Sequence, residues 1–126
     1  MEMDDFGMTV FFEDRKGREI EIELFDDWPP KLEARHDGKK IGHLEFDEYR
    51  DMAVLESADV KQEYQKAGIG TQMFKELVEV HDDVYVPNRR WSAATGHNFY
   101  LSIEGAALVN ACIREGILTD ANEAPY

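Results

Sequence analysis

Apolar and polar residues alternate along the first half of the chain, which is the period of strands that bury one face. In the stretch REIEIELF, for example, Ile20, Ile22 and Leu24 share one face. Asp37-Gly38 is the kind of residue pair that closes a tight hairpin. The pattern predicts strands over residues 8–13, 18–25 and 51–61 and a hairpin over 31–46. Together these elements predict one sheet.

The period changes from Ile69 onwards, where apolar residues recur at spacings of three and four, as on one face of a helix. The residues at these spacings are Met73, Phe74, Leu77, Val78 and His81. They predict a helix over about residues 67–81. A second helix is predicted over about 102–115, with Ser102 as its N-cap and Gly116 just past its end.

Residues 89–95 (RRWSAAT) predict a further strand between the two helices. The order of strands, helix, strand and helix is typical of an α+β or mixed α/β fold around one sheet. A length of 126 residues is sufficient for one core, so we expect a single domain over 1–126.

The formal net charge is −13, with acidic residues spread along the whole chain. Such a surface repels nucleic acid and anionic membranes and attracts cationic partners such as an amine, although the charge can also serve solubility alone. Cys112 is the only cysteine, so an intrachain disulfide is impossible. No signal-like segment and no long apolar run is present, and we expect a cytoplasmic protein. A homodimer is one arrangement that the sequence leaves open.

Two glycines, Gly68 and Gly70, lie where the predicted strand gives way to the first helix. Neither the lysine of a phosphate-binding P-loop nor the third glycine of a dinucleotide-binding fingerprint is present. Free backbone N–H groups at a helix start, together with the helix dipole, form an anion site. We expect both glycines to keep these N–H groups accessible, although a tight turn alone also explains them.

The stretch VKQEYQKAGIGTQMFKEL resembles the acyl-CoA-binding motif of the GNAT superfamily of N-acyltransferases, as found in small bacterial-type members. The motif reads Arg/Gln-x-x-Gly-x-Gly/Ala, and here it is Gln65-x-x-Gly68-x-Gly70. The resemblance implies a GNAT-like domain with a largely antiparallel central sheet and a splayed, bulged strand before the motif. It also implies that strand residues pair with the pantetheine arm of acetyl-CoA and that loop residues hold its pyrophosphate. The residues so implied are Ala58, Asp59 and Val60 for the arm, and Gln65, Lys66, Ala67, Gly68, Ile69, Gly70 and Thr71 for the pyrophosphate.

The chain also departs from this family, which usually inserts two helices between its first two strands. The segments DRKG and FDDWPPK are too short for two helices, so we expect a reduced or open acceptor side. The family often has a tyrosine in its last helix that protonates the leaving thiolate, within an Asn…Phe-Tyr pattern. HNFYLS is similar and offers Asn98 for the cofactor and Tyr100 as the acid, although it precedes the predicted helix and Tyr100 can equally pack at the sheet edge.

Amine acylation needs a base, for which a carboxylate or an ordered water suffices. Glu56 is the candidate, because it lies in the otherwise apolar strand MAVLESADV. A buried Glu56 would suit the role, whereas an outward one is an ordinary surface glutamate. Asp47, Glu48 and Asp51 are predicted to share the turn before that strand, where they could attract an amine.

The four histidines, His36, His43, His81 and His97, have no ligand-like spacing, and no metal site is predicted. Cys112 shares an apolar helical stripe with Leu108 and Ala111, which predicts a core role rather than a nucleophile.

The resemblance implies an acetyl-CoA-dependent N-acetyltransferase that acts on a small-molecule or protein amine by direct attack in a ternary complex. The alternatives are a non-catalytic acyl-CoA sensor of the same fold and a small α+β protein whose glycines only turn the chain.

Overall fold

The computed structural model describes residues 7–25, 28–81, 84–87, 103–119 and 122–123. Its strands are β1 (Gly7–Glu13), β2 (Glu19–Phe25), β3 (Lys31–His36), β4 (Lys39–Tyr49), β5 (Met52–Val60) and β6 (Val84–Tyr85). A single 3₁₀ turn (Gln62–Tyr64) precedes helix α1 (Ile69–Val80), and helix α2 spans Ile103–Arg114. The six strands lie in one sheet in sequence order. All neighbouring pairs are antiparallel except β5 and β6, which are parallel.

Both helices pack on one face of the sheet, and the apolar alternation of the strands explains why. Ile20, Ile22 and Leu24 of β2 are buried as predicted, and they join one core with the α1 residues Phe74 and Leu77. The core includes Val109 and Cys112 of α2. The opposite sheet face is polar and carries Glu21, Glu23, Glu33 and Arg35 in an ion-pair cluster. The architecture is therefore a helix layer on one face of a sheet, which confirms the predicted α+β class.

Tight two-residue turns set the register of the β3–β4 and β4–β5 hairpins. Asp37 and Gly38 have φ angles of 53° and 80°, as a type I′ turn requires, so the predicted turn is confirmed. Arg50 and Asp51 form the second turn, with φ angles of 52° and 66°. The strand β4 therefore continues to Tyr49, and the expectation that Asp47 and Glu48 lie in a turn is wrong.

A bulge interrupts β5 at Glu56. Ser57 pairs with Glu45 and Leu55 pairs with Phe46, so Glu56 has no partner on β4. Beyond the bulge, β5 also lacks a neighbour on its other side within the described residues, because β6 pairs only with Ala53 and Val54. The predicted splayed strand is thus present, and the splay opens a cleft beside the second half of β5.

The two helices and the β1–β2 connection agree with the predictions from the sequence. Both helices lie within their predicted ranges, and Gly116 ends α2 with a φ of 77°, while the N–H of Ile117 donates to the carbonyl oxygen of Cys112 at 2.9 Å. The strands β1 and β2 are joined by residues 14–18 without a helix, as expected. The two-residue strand β6 was not predicted, and the strand predicted over 89–95 lies outside the described residues. No helix in the described part of the chain is long and apolar enough to cross a membrane.

Candidate functional site

A cleft of about 440 Å³ lies between the splayed half of β5, the segment that follows it, and α2. This volume is in the range of small-molecule sites. Its lining residues are Arg15, Ala58, Asp59, Val60, Tyr64, Gln65, Lys66, Gly68, Ile69, Gly70, Thr71, Ala107, Leu108, Ala111, Arg114 and Glu115. They come from the β1–β2 turn, the end of β5, the start of α1 and the last turns of α2. We call the segment 65–71 the glycine loop.

Six consecutive backbone N–H groups, from Lys66 to Thr71, donate to no acceptor among the described residues. The first donor of α1 that does so is the N–H of Gln72, which reaches the carbonyl oxygen of Gly68 at 3.0 Å. Lys66 and Gly68 have positive φ angles of 62° and 88°, so the backbone turns twice within the loop. Unpaired N–H groups at a helix start attract anions, and the helix dipole adds to this attraction.

Three hydrogen bonds hold the glycine loop in this conformation. The side-chain Nε2 of Gln65 donates to the carbonyl oxygen of Val60 at 2.9 Å and ties the loop to the end of β5. The hydroxyl of Thr71 donates to the carbonyl oxygen of Gly68 at 3.0 Å. The backbone N–H of Arg15, in the β1–β2 turn, donates to the carbonyl oxygen of Ala67 at 3.0 Å. The loop is therefore fixed from both sides before any ligand binds.

The β1–β2 turn owes its rigidity to Asp14, a carboxylate that is buried. Its oxygens accept hydrogen bonds from the backbone N–H groups of Lys16 and Arg18, each at 2.9 Å, and from Arg18 Nε at 2.8 Å. Burial raises the pKa of Asp14, but these hydrogen bonds and the Arg18 charge together outweigh it, so the pKa is lowered. The charged form of Asp14 thus stabilises the turn.

Arg18 then connects this turn to the segment that precedes the glycine loop. Its Nη1 donates to the carbonyl oxygen of Glu63 at 3.2 Å, and its guanidinium lies 4.1 Å from the centre of the Tyr64 ring. The hydroxyl of Tyr64 is 2.7 Å from Nδ1 of His36, at the end of β3. A continuous chain of contacts therefore positions the loop against the sheet edge.

Gly70 is required for a different reason from the one that the sequence indicated. A β-carbon on Gly70 would lie 2.7 Å from Cδ1 of Leu108, inside the contact between α1 and α2. Ala107 and Ala111, one on either side of Leu108 along α2, also line the cleft. The small residue at position 70 thus permits close packing of the helices. At Gly68, by contrast, the left-handed backbone itself favours glycine.

The cleft is more positive than the rest of the protein. Arg15, Lys66 and Arg114 line it with positive charge, and Asp59 and Glu115 with negative charge, whereas the chain as a whole carries −13. The Nη2 of Arg15 lies 3.8 Å from Oε2 of Glu115, so the two residues meet across the opening. An anionic ligand is therefore favoured at this end of an otherwise acidic surface.

Of the residues predicted to bind the cofactor, most line this one cleft. They are Ala58, Asp59, Val60, Gln65, Lys66, Gly68, Ile69, Gly70 and Thr71. Ala67 is buried behind them, and Asn98 and the predicted acid Tyr100 lie outside the described residues. Sequence reasoning missed Arg15 and the α2 residues of the wall. The i, i+4 pair Ala107 and Ala111 is a signal for close approach of a second helix.

The predicted base Glu56 is exposed, so the buried alternative is wrong and its role stays a prediction. Cys112 is fully buried, as expected for a core residue. Burial, with a contribution from the Glu115 charge, raises the pKa of its thiol to about 12. No group of three or more His, Cys, Asp or Glu side chains in the described ranges is arranged to hold a metal ion.

Comparison with known proteins gives one result. The model of the Acetyltransferase (GNAT) family matches residues 2–100, which is more than half of the chain. No curated protein and no solved structure matches significantly. The match includes the bulged strand β5, the glycine loop and α1, which are the elements that form the cleft described above. The chain belongs to the GNAT family of acetyltransferases.

Proposed function

We propose that the protein is an N-acetyltransferase that transfers an acetyl group from acetyl-CoA to an amine. The observation that carries the proposal is the run of six unpaired N–H groups from Lys66 to Thr71, at the start of α1 and inside a cleft of about 440 Å³. A diphosphate needs several converging donors, and these N–H groups supply them without any side chain. The residues of the cleft therefore fit the pyrophosphate of coenzyme A.

The open edge of β5 fits the rest of the cofactor. From Leu55 to Asp59 this edge has no strand partner in the described part of the chain, so its backbone groups are available to a ligand. The pantetheine arm carries two amides and can pair with a free strand edge as an added strand would. Ala58 and Val60 present short or apolar side chains at this position.

The transfer forms a bond between the amine nitrogen and the acyl carbon, and it breaks the carbon–sulfur bond. The thioester supplies an activated acyl carbon, so the protein has to orient the amine, take its proton and let the thiolate regain one. Glu56 is the proposed base, because it lies at the bulge of β5, in the part of the strand where β6 no longer pairs with it. Tyr100 remains the proposed acid. Attack is direct, because the pKa of the buried Cys112 thiol is about 12 and leaves almost no thiolate at neutral pH.

We propose that the acceptor approaches over the polar face of the sheet. No helix separates β1 from β2, so the described residues leave this face uncovered. Glu21, Glu23 and Glu33 lie on it and each pairs with Arg35, so the attraction of a cationic amine rests on the net charge of −13 of the whole chain. A second candidate function is a non-catalytic acyl-CoA sensor, and the exposure of Glu56 favours it, because an exposed carboxylate gains no base strength from burial.

The experiment has two stages. Isothermal titration with acetyl-CoA tests the binding site, and a thiol-release assay across a panel of small amines and basic peptides tests turnover. Binding with turnover supports the enzyme, and binding without turnover on any amine supports the sensor. Absence of acetyl-CoA binding to the folded protein contradicts both. The value of kcat/KM for a cationic acceptor should also fall as salt rises from 0.01 M towards about 0.1 M, where the screening length is about 10 Å.

A further inference from the structure

Arg15 is the one cleft residue that comes from the far edge of the sheet, and nothing in the glycine-loop motif accounts for it. Its backbone N–H is bonded to Ala67, which fixes the position of its Cα beside the loop. Its side chain is 64% exposed and crosses the opening towards Glu115 at the end of α2. The aliphatic and Nε part lies over Gly68, with Nε 3.5 Å from the point where a β-carbon of Gly68 would be.

We infer that Arg15 binds a second phosphate group, separate from the one held by the loop N–H groups. The inference rests on the proposed function and assigns this group as the 3′-phosphate on the ribose of coenzyme A. The loop already offers six backbone donors, which suffice for a diphosphate. The guanidinium of Arg15 begins beside Gly68, with Cζ 3.8 Å from the point where a β-carbon of Gly68 would be, and its Nη2 extends towards Glu115 at the opening. A ligand group held at the opening lies further from the loop than the diphosphate does. In coenzyme A the next phosphate beyond the diphosphate is the one on the ribose.

Charge supports the same assignment. Arg114 adjoins Glu115 at the same opening, and Lys66 lies at the outer bend of the loop. Arg15, Lys66 and Arg114 thus line one cleft on a chain with a net charge of −13. A doubly charged phosphate monoester is the ligand group that benefits most from several cations, because Arg and Lys bind phosphate by charge-assisted hydrogen bonds.

Glu115 has the opposite effect. Its carboxylate lies 3.8 Å from Arg15 Nη2, a weak and largely exposed pair that a phosphate can replace. Before the ligand binds, the Glu115 carboxylate competes for the Arg15 guanidinium. After the ligand binds, the same carboxylate repels the bound phosphate. Glu115 therefore lowers the affinity for the ribose phosphate, and Arg15 raises it.

The test compares coenzyme A with 3′-dephospho-coenzyme A by isothermal titration of the full chain at low salt. Wild type should bind coenzyme A about five- to tenfold more tightly, the range expected for a charge-assisted contact at a partly exposed site. Arg15→Gln should bring this ratio close to one by weakening coenzyme A alone. Glu115→Gln should tighten coenzyme A binding. Arg50→Gln and Glu79→Gln, both exposed and remote from the cleft, are the matched controls and should keep the wild-type ratio.

The outcomes separate the inference from the proposed function. A wild-type ratio near one, or a ratio that survives Arg15→Gln, overturns the role of Arg15 while acetyl-CoA binding still stands. Equal weakening of both ligands by Arg15→Gln places Arg15 on the diphosphate and also overturns the assignment. Absence of binding by either ligand refutes the proposed function and the inference together. Circular dichroism confirms that the variants are folded, and the backbone bond to Ala67 is retained in each.

Discussion

A β-carbon placed on Gly70 would lie 2.7 Å from Cδ1 of Leu108, closer than unstrained carbons approach. The second glycine of the motif is thus a helix-packing residue as well as part of the loop. The first, Gly68, has a left-handed backbone with a φ of 88° and an ordinary distance of 3.5 Å from a β-carbon to Arg15 Nε. The two glycines look equivalent in sequence, but glycine is favoured at each position for a different physical reason. Substitutions can distinguish the two reasons.

Gly70→Ala should destabilise the protein by about 1–2 kcal/mol, because Leu108 has to move and overpacking costs about 1–3 kcal/mol. In a Leu108→Ala background the same change should be neutral or stabilising, since alanine favours helix over glycine. The double-mutant cycle, measured by urea unfolding, should give a coupling energy of about 1–2 kcal/mol. An Ile20→Val background serves as the control, and additivity in both backgrounds would contradict the packing role.

Gly68→Ala and Gly38→Ala form a second pair, because both glycines have a left-handed backbone with φ angles of 88° and 80°. Each substitution should lower the free energy of unfolding by about 1–2 kcal/mol, the cost of an L residue in this region. Gly68→Ala alone should also weaken acetyl-CoA, because the loop N–H groups depend on that conformation. The measurement compares acetyl-CoA affinity between these two variants, which are expected to lose the same amount of stability. Equal affinity in both variants would show that the loop is not the anion site.

The sheet, both helices and the glycine loop were predictable, because each has a local signal: alternation, helical spacing or a short motif. The strand β6 was not, since two residues, Val84 and Tyr85, are too few to show a period. The orientation of Glu56 was not predictable either, because a bulge at that residue changes which face each neighbour takes. Arg15 and Ala67 are bonded across more than 50 residues of sequence, so no local pattern could indicate that contact.

Asp14→Asn should destabilise the β1–β2 turn. An amide can accept the two backbone hydrogen bonds, but its NH₂ would face Arg18 Nε, and loss of a hydrogen bond to a charged group costs about 1.5–3 kcal/mol. The folded-state pKa of Asp14 is lowered, so its stabilisation is complete above the ordinary value of about 4 and is lost as the pH falls through the folded value. The melting temperatures of wild type and variant should therefore differ at pH 7 and converge below about pH 4.

The control for this series is Asp37→Asn, which changes an exposed turn carboxylate and should leave the melting temperature almost unchanged. A difference between wild type and Asp14→Asn that persists undiminished to pH 2 would show that charge on Asp14 does not stabilise the turn.

Cys112 should resist alkylation in the native protein at pH 8, because burial raises the pKa of its thiol to about 12, and it should react at once in denaturant. A raised pKa means that the folded protein favours the neutral thiol. The contribution of this thiol to the free energy of unfolding is therefore lost as the pH rises above about 8.5, the ordinary pKa of cysteine. Cys112→Ala should retain turnover. Mass spectrometry of the protein mixed with acetyl-CoA alone gives the sharper result, since an acetyl adduct on Cys112 that an amine discharges would replace direct transfer by a covalent mechanism.

Glu56→Gln should lower kcat/KM by about 10²–10⁴-fold, the contribution typical of a general base, while acetyl-CoA affinity stays unchanged. The physical reason is its position: the bulge leaves Glu56 without a partner on β4, at the point where β6 has already left the edge of β5. Glu48→Gln removes an equally exposed carboxylate from β4 and should retain full activity. An equal loss in both variants would indicate that overall charge, rather than proton transfer, sets the rate. Full activity of Glu56→Gln would leave an ordered water as the base, because amine deprotonation would then need no side chain at this position.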